Sequence, residues 1–239
     1  MIDFSYTDEQ ELLLESIREF CQRNMPDEIV KQWHLNGCQP DEVNKLFIDS
    51  FGLLRVPEEY GGVPIDTVTM CLLIKELGKN GGLTAIMGLL ALYDILEFGS
   101  DEQKKFFLEL NNEKGSPKTA LAISEPGAGS DNMGMTTTAR SVNGKFVING
   151  QKTFSSNARN CDFLLVAAKD EDPSRENTSA SLWLVPVKTP GLNLVNVDEL
   201  CSRTEPFSDV YFDDVVVEES ARLGKRGEGF MELMKNFEL

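Results

Sequence analysis

Apolar residues in the first part of the chain recur at the spacing of three and four that places them on one face of a helix. Leu13, Ile17 and Phe20 follow this spacing after Thr7, and Gln10 stands three residues beyond Thr7. A threonine followed three residues later by glutamine can exchange side-chain and backbone hydrogen bonds at a helix start. The pattern therefore predicts a first helix that begins near residue 7 and ends before the next proline.

Four further helices are predicted before residue 115. One begins at residue 41, one at residue 66 or 67, and one at residue 101, each at an aspartate or threonine that can cap a helix. Residues 83–98 are apolar nearly all round, which is typical of a helix that other elements cover on every side. The first part of the chain is therefore predicted to be a helical bundle.

The pattern changes to short apolar and β-branched runs after residue 115. Asn143 and Gly144 form a two-residue turn sequence typical of hairpins, between strand-like residues 137–142 and 145–148. Further strands are predicted from the runs at residues 119–123, 163–167, 181–187 and 192–197. A helical pattern returns after Gly227. Strands at short spacing with hairpin turns indicate an antiparallel sandwich or barrel.

We therefore expect an α+β protein in three parts. Residues 1–115 are predicted to form an N-terminal helical domain, and residues 116–222 a middle antiparallel β-sandwich or barrel domain. Residues 223–239 are predicted to be the start of a further helical domain.

Charge, histidine and cysteine content narrow the possible functions. The formal net charge is −16 and no basic run exceeds two residues, which argues against a nucleic-acid partner. His34 is the single histidine, so no multi-histidine metal site is expected, and no metal site is predicted. The five cysteines include no C-x-x-C pair and are expected to be reduced thiols. Without a signal-peptide or membrane-spanning pattern, we expect a cytoplasmic location.

A loop rich in small residues follows the strand predicted at residues 119–123. Residues 122–131 read A-I-S-E-P-G-A-G-S-D. Glycines allow a ligand to approach the backbone closely, and the hydroxyls of Ser124 and Ser130 could bind a polar or anionic group. The loop is not a dinucleotide-binding fingerprint, because Asn132 stands where that motif needs glycine. Considered alone, it fits a ligand-binding turn and a plain tight connection about equally well.

The same residues resemble the T-E-P-G-A-G-S-D signature of the acyl-CoA dehydrogenase family, with Ser124 in place of the threonine. Other segments are similar to further motifs of that family in the same order, namely residues 57–62, 99–108, 149–157, 212–217 and 227–230. The sequence is thus similar to the N-terminal and middle domains of the family, and its general pattern is closest to the crotonobetainyl-CoA reductase-like branch.

The resemblance implies FAD as cofactor, an acyl-CoA or enoyl-CoA substrate, an electron-transfer flavoprotein as partner and a homo-oligomer. It implies that Ser124 donates to the pyrimidine end of the isoalloxazine, that Ser156 lies near flavin N5, and that Ser130 lies where the flavin and CoA phosphates bind. The complete set of implied cofactor-binding residues is Leu121, Ala122, Ile123, Ser124, Gly129, Ser130, Phe154, Ser155 and Ser156, with Ser130 also binding substrate.

Two of these residues depart from the family pattern. Phe154 stands where the family has tryptophan, and Ser156 stands where it has threonine. The first change keeps an aromatic surface without the indole N–H, and the second keeps a hydroxyl with more rotamer freedom. Flavin binding therefore remains the expectation.

The family reaction is α,β-dehydrogenation of an acyl-CoA thioester, or its reverse, and its glutamate base belongs to a C-terminal helical domain. We expect these residues to stop before that domain, to contain no catalytic base and to be inactive alone. Glu125 is expected to have a structural role. Two alternatives stay open, namely an oxidase or monooxygenase on the same fold, and a non-catalytic scaffold or interaction module.

Overall fold

The computed structural model describes residues 5–82, 88–171, 179–201 and 203–237. Within these residues the N-terminal part is helical. Its helices are α1 (Asp8–Asn24), α2 (Asp27–Asn36), α3 (Asp41–Phe51), α4 (Thr67–Gly78), α5 (Leu89–Phe98) and α6 (Asp101–Lys114). A short parallel pair, β1 (Leu53–Leu54) and β2 (Gly62–Val63), lies between α3 and α4. The first five residues of the helix predicted at 83–98 lie outside the described residues.

The helix starts follow from local hydrogen bonding. The backbone N–H of Gln10 donates to Thr7 Oγ1 over 3.2 Å, and the backbone N–H of Thr7 donates to Gln10 Oε1 over 3.1 Å. The predicted capping box is therefore confirmed. Asp66 caps α4 by accepting from the backbone N–H of Thr69. A second capping box, between Ser100 and Gln103 at the start of α6, was not predicted.

Helix α2 is also missing from the sequence prediction, which has no helix between residues 26 and 41. Trp33 is the buried residue of α2 and Val30, one turn before it, packs partly against the core. The apolar face of this ten-residue helix therefore extends over about one turn and gives only a short periodic signal. Its start at Asp27 follows Pro26, and it ends at Gly37, which adopts a left-handed conformation with φ 69°.

The middle part of the chain forms one eight-stranded sheet. Its strands are β3 (Thr119–Ala122), β4 (Thr138–Val142), β5 (Lys145–Ser156), β6 (Phe163–Glu171), β7 (Ala180–Pro186), β8 (Leu192–Asn196), β9 (Phe207–Val217) and β10 (Arg222–Leu223). The order is β10-β7-β6-β4-β5-β9-β8, and β3 lies beside β6. All pairings are antiparallel except those of β3 and β4 with β6. The predicted α+β class is confirmed.

The hairpin between β4 and β5 confirms the turn predicted at Asn143 and Gly144. Both residues have positive φ, 52° and 82° respectively, as the tightest hairpin turns require. After β10 the chain enters α7 (Gly229–Phe237), which packs against α5 and β7.

Two apolar clusters lie on opposite sides of β6. Leu165 belongs to the cluster that joins the helices to the sheet, and Leu164 to the cluster enclosed by the sheet. Trp183 is fully buried in the second cluster, with its ring 4.6 Å from that of Phe146. Because β3 pairs with β6 and also contacts α5, the loop that follows β3 emerges where the helical and β parts meet.

No helix among the described residues is long and apolar enough to cross a membrane.

Candidate cofactor site

The loop after β3 is a tight turn fixed to strand β5. The backbone N–H of Glu125 donates to the carbonyl of Ala128 over 2.9 Å, and the N–H of Ala128 donates back to Glu125 over 3.1 Å. Pro126 and Gly127 therefore form the tip. The backbone N–H of Thr153 donates to the Ser124 carbonyl over 2.8 Å, which holds the loop beside β5.

The buried Glu125 carboxylate holds the loop in place through hydrogen bonds. Its Oε2 accepts from the backbone N–H of Thr136 over 2.6 Å and from the Thr136 hydroxyl over 2.8 Å. Its Oε1 accepts from the backbone N–H of Thr137 and from Lys152 Nζ, each over 2.9 Å. Lys152 Nζ also donates to the Ile123 carbonyl over 2.9 Å. Both charged side chains are buried, with exposures of 3% for Glu125 and 0% for Lys152.

The hydrogen bonds decide the protonation state of Glu125. Burial alone would raise its pKa, but the hydrogen bonds from Thr137, Lys152 and Thr136 outweigh burial and lower the pKa to about 2. A carboxylate with both oxygens bonded and so low a pKa is a poor proton acceptor at neutral pH. This geometry supports the structural role expected for Glu125.

Strand β5 presents Phe154 through an irregular backbone. The β5–β9 register shifts between Lys152 and Ser155, and Phe154 within this bulge has φ 55°. A positive φ is costly for an aromatic residue and is found where the surrounding structure imposes it, often at binding sites. The side chain is 60% exposed, and its ring meets that of Phe207 edge to face at 6.0 Å. The bulge thus leaves a large aromatic face open.

A cavity of about 170 Å³ lies where the loop after β3, the end of β5 and the start of α5 meet. Five of the nine residues predicted to bind cofactor line it, namely Leu121, Ile123, Ser124, Phe154 and Ser156. They come from positions about thirty residues apart in sequence and are brought together by the bond between Thr153 and Ser124. Leu90 and Ala91 of α5 close the other side.

The other four predicted residues lie elsewhere. Ala122 is fully buried in the cluster enclosed by the sheet. Ser155 is buried, and within the described part of the chain its Oγ has no hydrogen-bond partner. Gly129 and Ser130 are exposed on the loop beyond the turn. A Cβ built on Gly129 meets no described atom within 4 Å, so packing within the described chain does not require glycine at that position.

Two residues of the cavity wall were not predicted. Glu205 lies in the segment between β8 and β9, and Cys161 follows the 3-10 turn Ala158–Asn160. Neither belongs to a motif. The pairing of β5 with β9 brings Glu205 to the end of β5, and the turn that follows β5 places Cys161 there, so no sequence pattern marked either residue. Burial raises the pKa of the Cys161 thiol to about 12, so the thiol stays protonated at neutral pH and is a poor nucleophile.

The chemical character of these residues suits a bound flavin. An exposed aromatic face, two serine hydroxyls and small aliphatic side chains suit a flat heterocycle with polar edges. Ser124 would hold the polar edge of the isoalloxazine, Phe154 would pack on its face, and Ser156 would lie beside it. The volume is below that typical of a complete small-molecule site, so the cavity supplies one wall of such a site.

A larger cavity, of about 580 Å³, lies between Pro57, Tyr60 and the end of α5, with Lys104 and Lys235 at its sides. None of the nine predicted cofactor-binding residues lines it. Its charged side chains interact with their surroundings in the described structure, since Lys104 donates to the Tyr60 hydroxyl over 3.3 Å and Lys235 lies 3.8 Å from Glu97. We assign no cofactor to this cavity.

Comparison with known proteins identifies the family to which this chain belongs. Residues 7–110 match the N-terminal domain of acyl-CoA dehydrogenase, and residues 120–215 match the middle domain of acyl-CoA dehydrogenase. The chain therefore belongs to the acyl-CoA dehydrogenase family, as the resemblance implied.

Individual relatives agree with this family. The chain is 41% identical over 240 residues to a probable acyl-CoA dehydrogenase, YdiO, of Escherichia coli K12. The alignment covers 100% of this chain and 63% of the relative. It is 38% identical to cyclohex-1-ene-1-carbonyl-CoA dehydrogenase of Syntrophus aciditrophicus, covering 95% of this chain and 56% of the relative. The chain thus spans less than two thirds of the length of these curated relatives.

A solved structure agrees in fold. The glutaryl-CoA dehydrogenase of Mycobacterium smegmatis in complex with FADH2 superimposes with a TM-score of 0.80 and 25% sequence identity. The superposition covers 98% of this chain and 59% of that chain.

Proposed function

We propose that this chain is the N-terminal and middle portion of an FAD-dependent acyl-CoA oxidoreductase. The observation that carries the proposal is the convergence of Ser124, Phe154 and Ser156 on one cavity wall, from two segments that both resemble family motifs. The complex of a related dehydrogenase with FADH2 supports the choice of cofactor. We also propose the domain limits 1–115, 116–222 and 223–239, a cytoplasmic location and a homo-oligomeric assembly.

The proposed reaction is α,β-dehydrogenation of an acyl-CoA thioester or reduction of an enoyl-CoA, with an electron-transfer flavoprotein as redox partner. Bound FAD supplies the hydride acceptor or donor. The residues of this chain orient the ring. Phe154 would cover one face of the ring. Ser124 would hold the polar edge of the ring, and Ser156 would lie near N5. Ser130 binds phosphate groups of cofactor and substrate. The proposed cofactor set is completed by Leu121, Ala122, Ile123, Gly129 and Ser155.

The 239 residues by themselves are proposed to be inactive. Glu125, the glutamate within the signature, has both oxygens bonded, to Thr136, Thr137 and Lys152. It therefore cannot serve as the base that removes the substrate α-proton. The resemblance assigns that role to a glutamate of a C-terminal domain, whereas the family matches of this chain are to the N-terminal and middle domains.

FAD binding by the purified chain tests this proposal, with quenching of flavin fluorescence as the measurement. We expect Phe154→Ala to weaken binding about two- to tenfold, since an aromatic contact contributes about 0.5–1.5 kcal/mol. Ser124→Ala should weaken it by a similar factor through one lost hydrogen bond. Phe106→Ala, at another exposed phenylalanine on α6, and Ser50→Ala on α3 are matched controls that should leave the Kd unchanged.

Equal effects of Phe154→Ala and Phe106→Ala would contradict the site. The chain loaded with FAD should also keep its visible flavin band when an acyl-CoA is added. Bleaching of that band with formation of enoyl-CoA would contradict the proposed inactivity and leave the cofactor assignment standing.

A further inference from the structure

Glu205 places a carboxyl group in the wall of the cofactor cavity. It is half-buried in the segment between β8 and β9 and lines the cavity together with Ser124 and Phe154. Its Oε1 is buried, and no described residue donates a hydrogen bond to that atom. Glu205 contributes the one carboxyl among the described lining residues. An acid in such a place is poorly solvated when ionised and therefore holds its proton more strongly.

The surrounding groups strengthen this preference. Glu199, in the same segment, accepts from the backbone N–H of Phe207 over 3.2 Å and has its other oxygen buried without a partner among the described residues. Burial, and then repulsion from Glu199, raise the pKa of Glu205 to about 7. Cys161 faces the same cavity as a neutral thiol. The charges that act on it are Lys118, Asp162, Glu205 itself and Asp41, which pairs with Lys118.

We propose that Glu205 couples occupancy of this cavity to proton uptake, so that a flat heterocyclic ring such as the isoalloxazine binds best while the Glu205 carboxyl holds its proton. This inference rests on the proposed function for the identity of the ligand. A ring that covers the cavity removes water from Glu205, and removal of water penalises the ionised form. Above neutral pH, binding then requires that one proton pass from solvent to the Glu205 carboxyl.

The segment between β8 and β9 connects Glu199 and Glu205 to the aromatic face formed by Phe154. Glu199 holds the backbone of Phe207, and the ring of Phe207 packs edge to face against the ring of Phe154. Pro206, next to Glu205, accepts from the backbone N–H of Asn157 over 3.0 Å, which fixes the segment to the end of β5. Glu205 is therefore held close to the ring-binding wall.

Two measurements on the full 239-residue chain test the inference. The first is a carboxyl carbon NMR titration of ¹³C-labelled glutamate, with Glu205 assigned by comparison with Glu205→Gln. Glu205 should titrate near neutrality without ligand and at higher pH with FAD. The second is the Kd for FAD from about pH 5.5 to about pH 8.5, where the wild-type Kd should rise up to about tenfold per pH unit above the midpoint.

The variants separate Glu205 from other titrating groups. Glu205→Gln, which keeps a neutral side chain of the same shape, should have a Kd that is constant over this range and close to the wild-type value at low pH. Glu199→Gln should keep the pH dependence but move its midpoint to lower pH, because the repulsion is gone.

Three results would overturn the inference. One is a Glu205 resonance that titrates with an ordinary glutamate pKa, and another is an unaltered pH dependence in Glu205→Gln. The third is a wild-type Kd that does not change with pH, in which case FAD binding and the proposed function would survive. Failure of the folded chain to bind FAD at any pH would instead reject the cofactor assignment, and the inference with it.

Discussion

Lys152 Nζ lies 2.9 Å from Glu125 Oε1, and both side chains are almost completely removed from solvent. The pair joins β5 to the loop after β3, the two segments that form the cofactor wall. Because the Glu125 carboxylate also accepts from the backbone of Thr136 and Thr137, the start of the loop is bonded to the residues just before β4 as well as to β5.

Removing one partner of this pair should therefore be costly. We expect Lys152→Met to lower the free energy of unfolding by about 3–5 kcal/mol, because it leaves a buried carboxylate without its counter-charge. Arg23→Met, which breaks the exposed pair between Arg23 and Glu19 on α1, should cost less than about 1 kcal/mol. Urea unfolding measures both. Equal losses for the two variants would contradict the structural role of the pair.

The same pair predicts a dependence of stability on acid pH. The pKa of Glu125 is lowered from 4.5 to about 2 on folding, so its contribution to stability is present above the unfolded pKa and is lost as pH falls through the folded pKa. The stability advantage of wild type over Glu125→Gln should be full above pH 4.5 and should disappear towards pH 2. Urea midpoints along this range measure it, and an advantage independent of pH would contradict the prediction.

The positive φ at Phe154 predicts that a glycine variant is more stable than an alanine variant, which reverses the usual order of their stabilities. At φ 55° a Cβ is unfavourable, so Phe154→Gly should be more stable than Phe154→Ala by about 1 kcal/mol. At Tyr211, a part-exposed aromatic residue on β9 with ordinary φ, the alanine variant should be the more stable by about 0.5–1 kcal/mol. Thermal unfolding of the four variants decides this. The same order at both positions would show that the bulge is not strained.

Gly115 predicts how closely the end of α6 packs against α3. It ends α6 with φ 69°, and an added Cβ would lie 2.2 Å from the backbone nitrogen of Lys45 on α3. Gly115→Ala should therefore cost roughly 2–4 kcal/mol, from the left-handed conformation and the clash together. Gly144→Ala, at φ 82° in an open turn, should cost about 1 kcal/mol. Chemical denaturation compares them, and similar costs would contradict the close packing.

Much of the fold could be predicted from local sequence. The capping box at Thr7, the hairpin at Asn143 and Gly144, and the period change after residue 115 depend on hydrogen bonds and spacing within a few residues. Helix α2 was missed because its inward face, Val30 and Trp33, extends over about one turn and gives only a short periodic signal. The end of β5 was missed because its bulge depends on the register with β9, which lies more than fifty residues away.

The site was predictable to a similar extent. Motif resemblance pointed to Ser124, Phe154 and Ser156, which the structure brings to one cavity. The positive φ of Phe154 and the carboxyl of Glu205 arise from long-range strand pairing, and no local pattern marks either. The buried Lys152 was also unmarked, because lysine in a strand is ordinarily expected at the surface.

The most direct test of the cofactor site is an amide NMR titration of the chain with FAD, with assigned backbone resonances. The account predicts the largest chemical-shift changes at Ser124, Phe154 and Ser156, with little change at Tyr60, Lys104 and Lys235 around the larger cavity. Changes centred on Tyr60 and Lys104, or no saturable changes in the folded chain, would contradict the assignment of the flavin to the wall formed by Ser124 and Phe154.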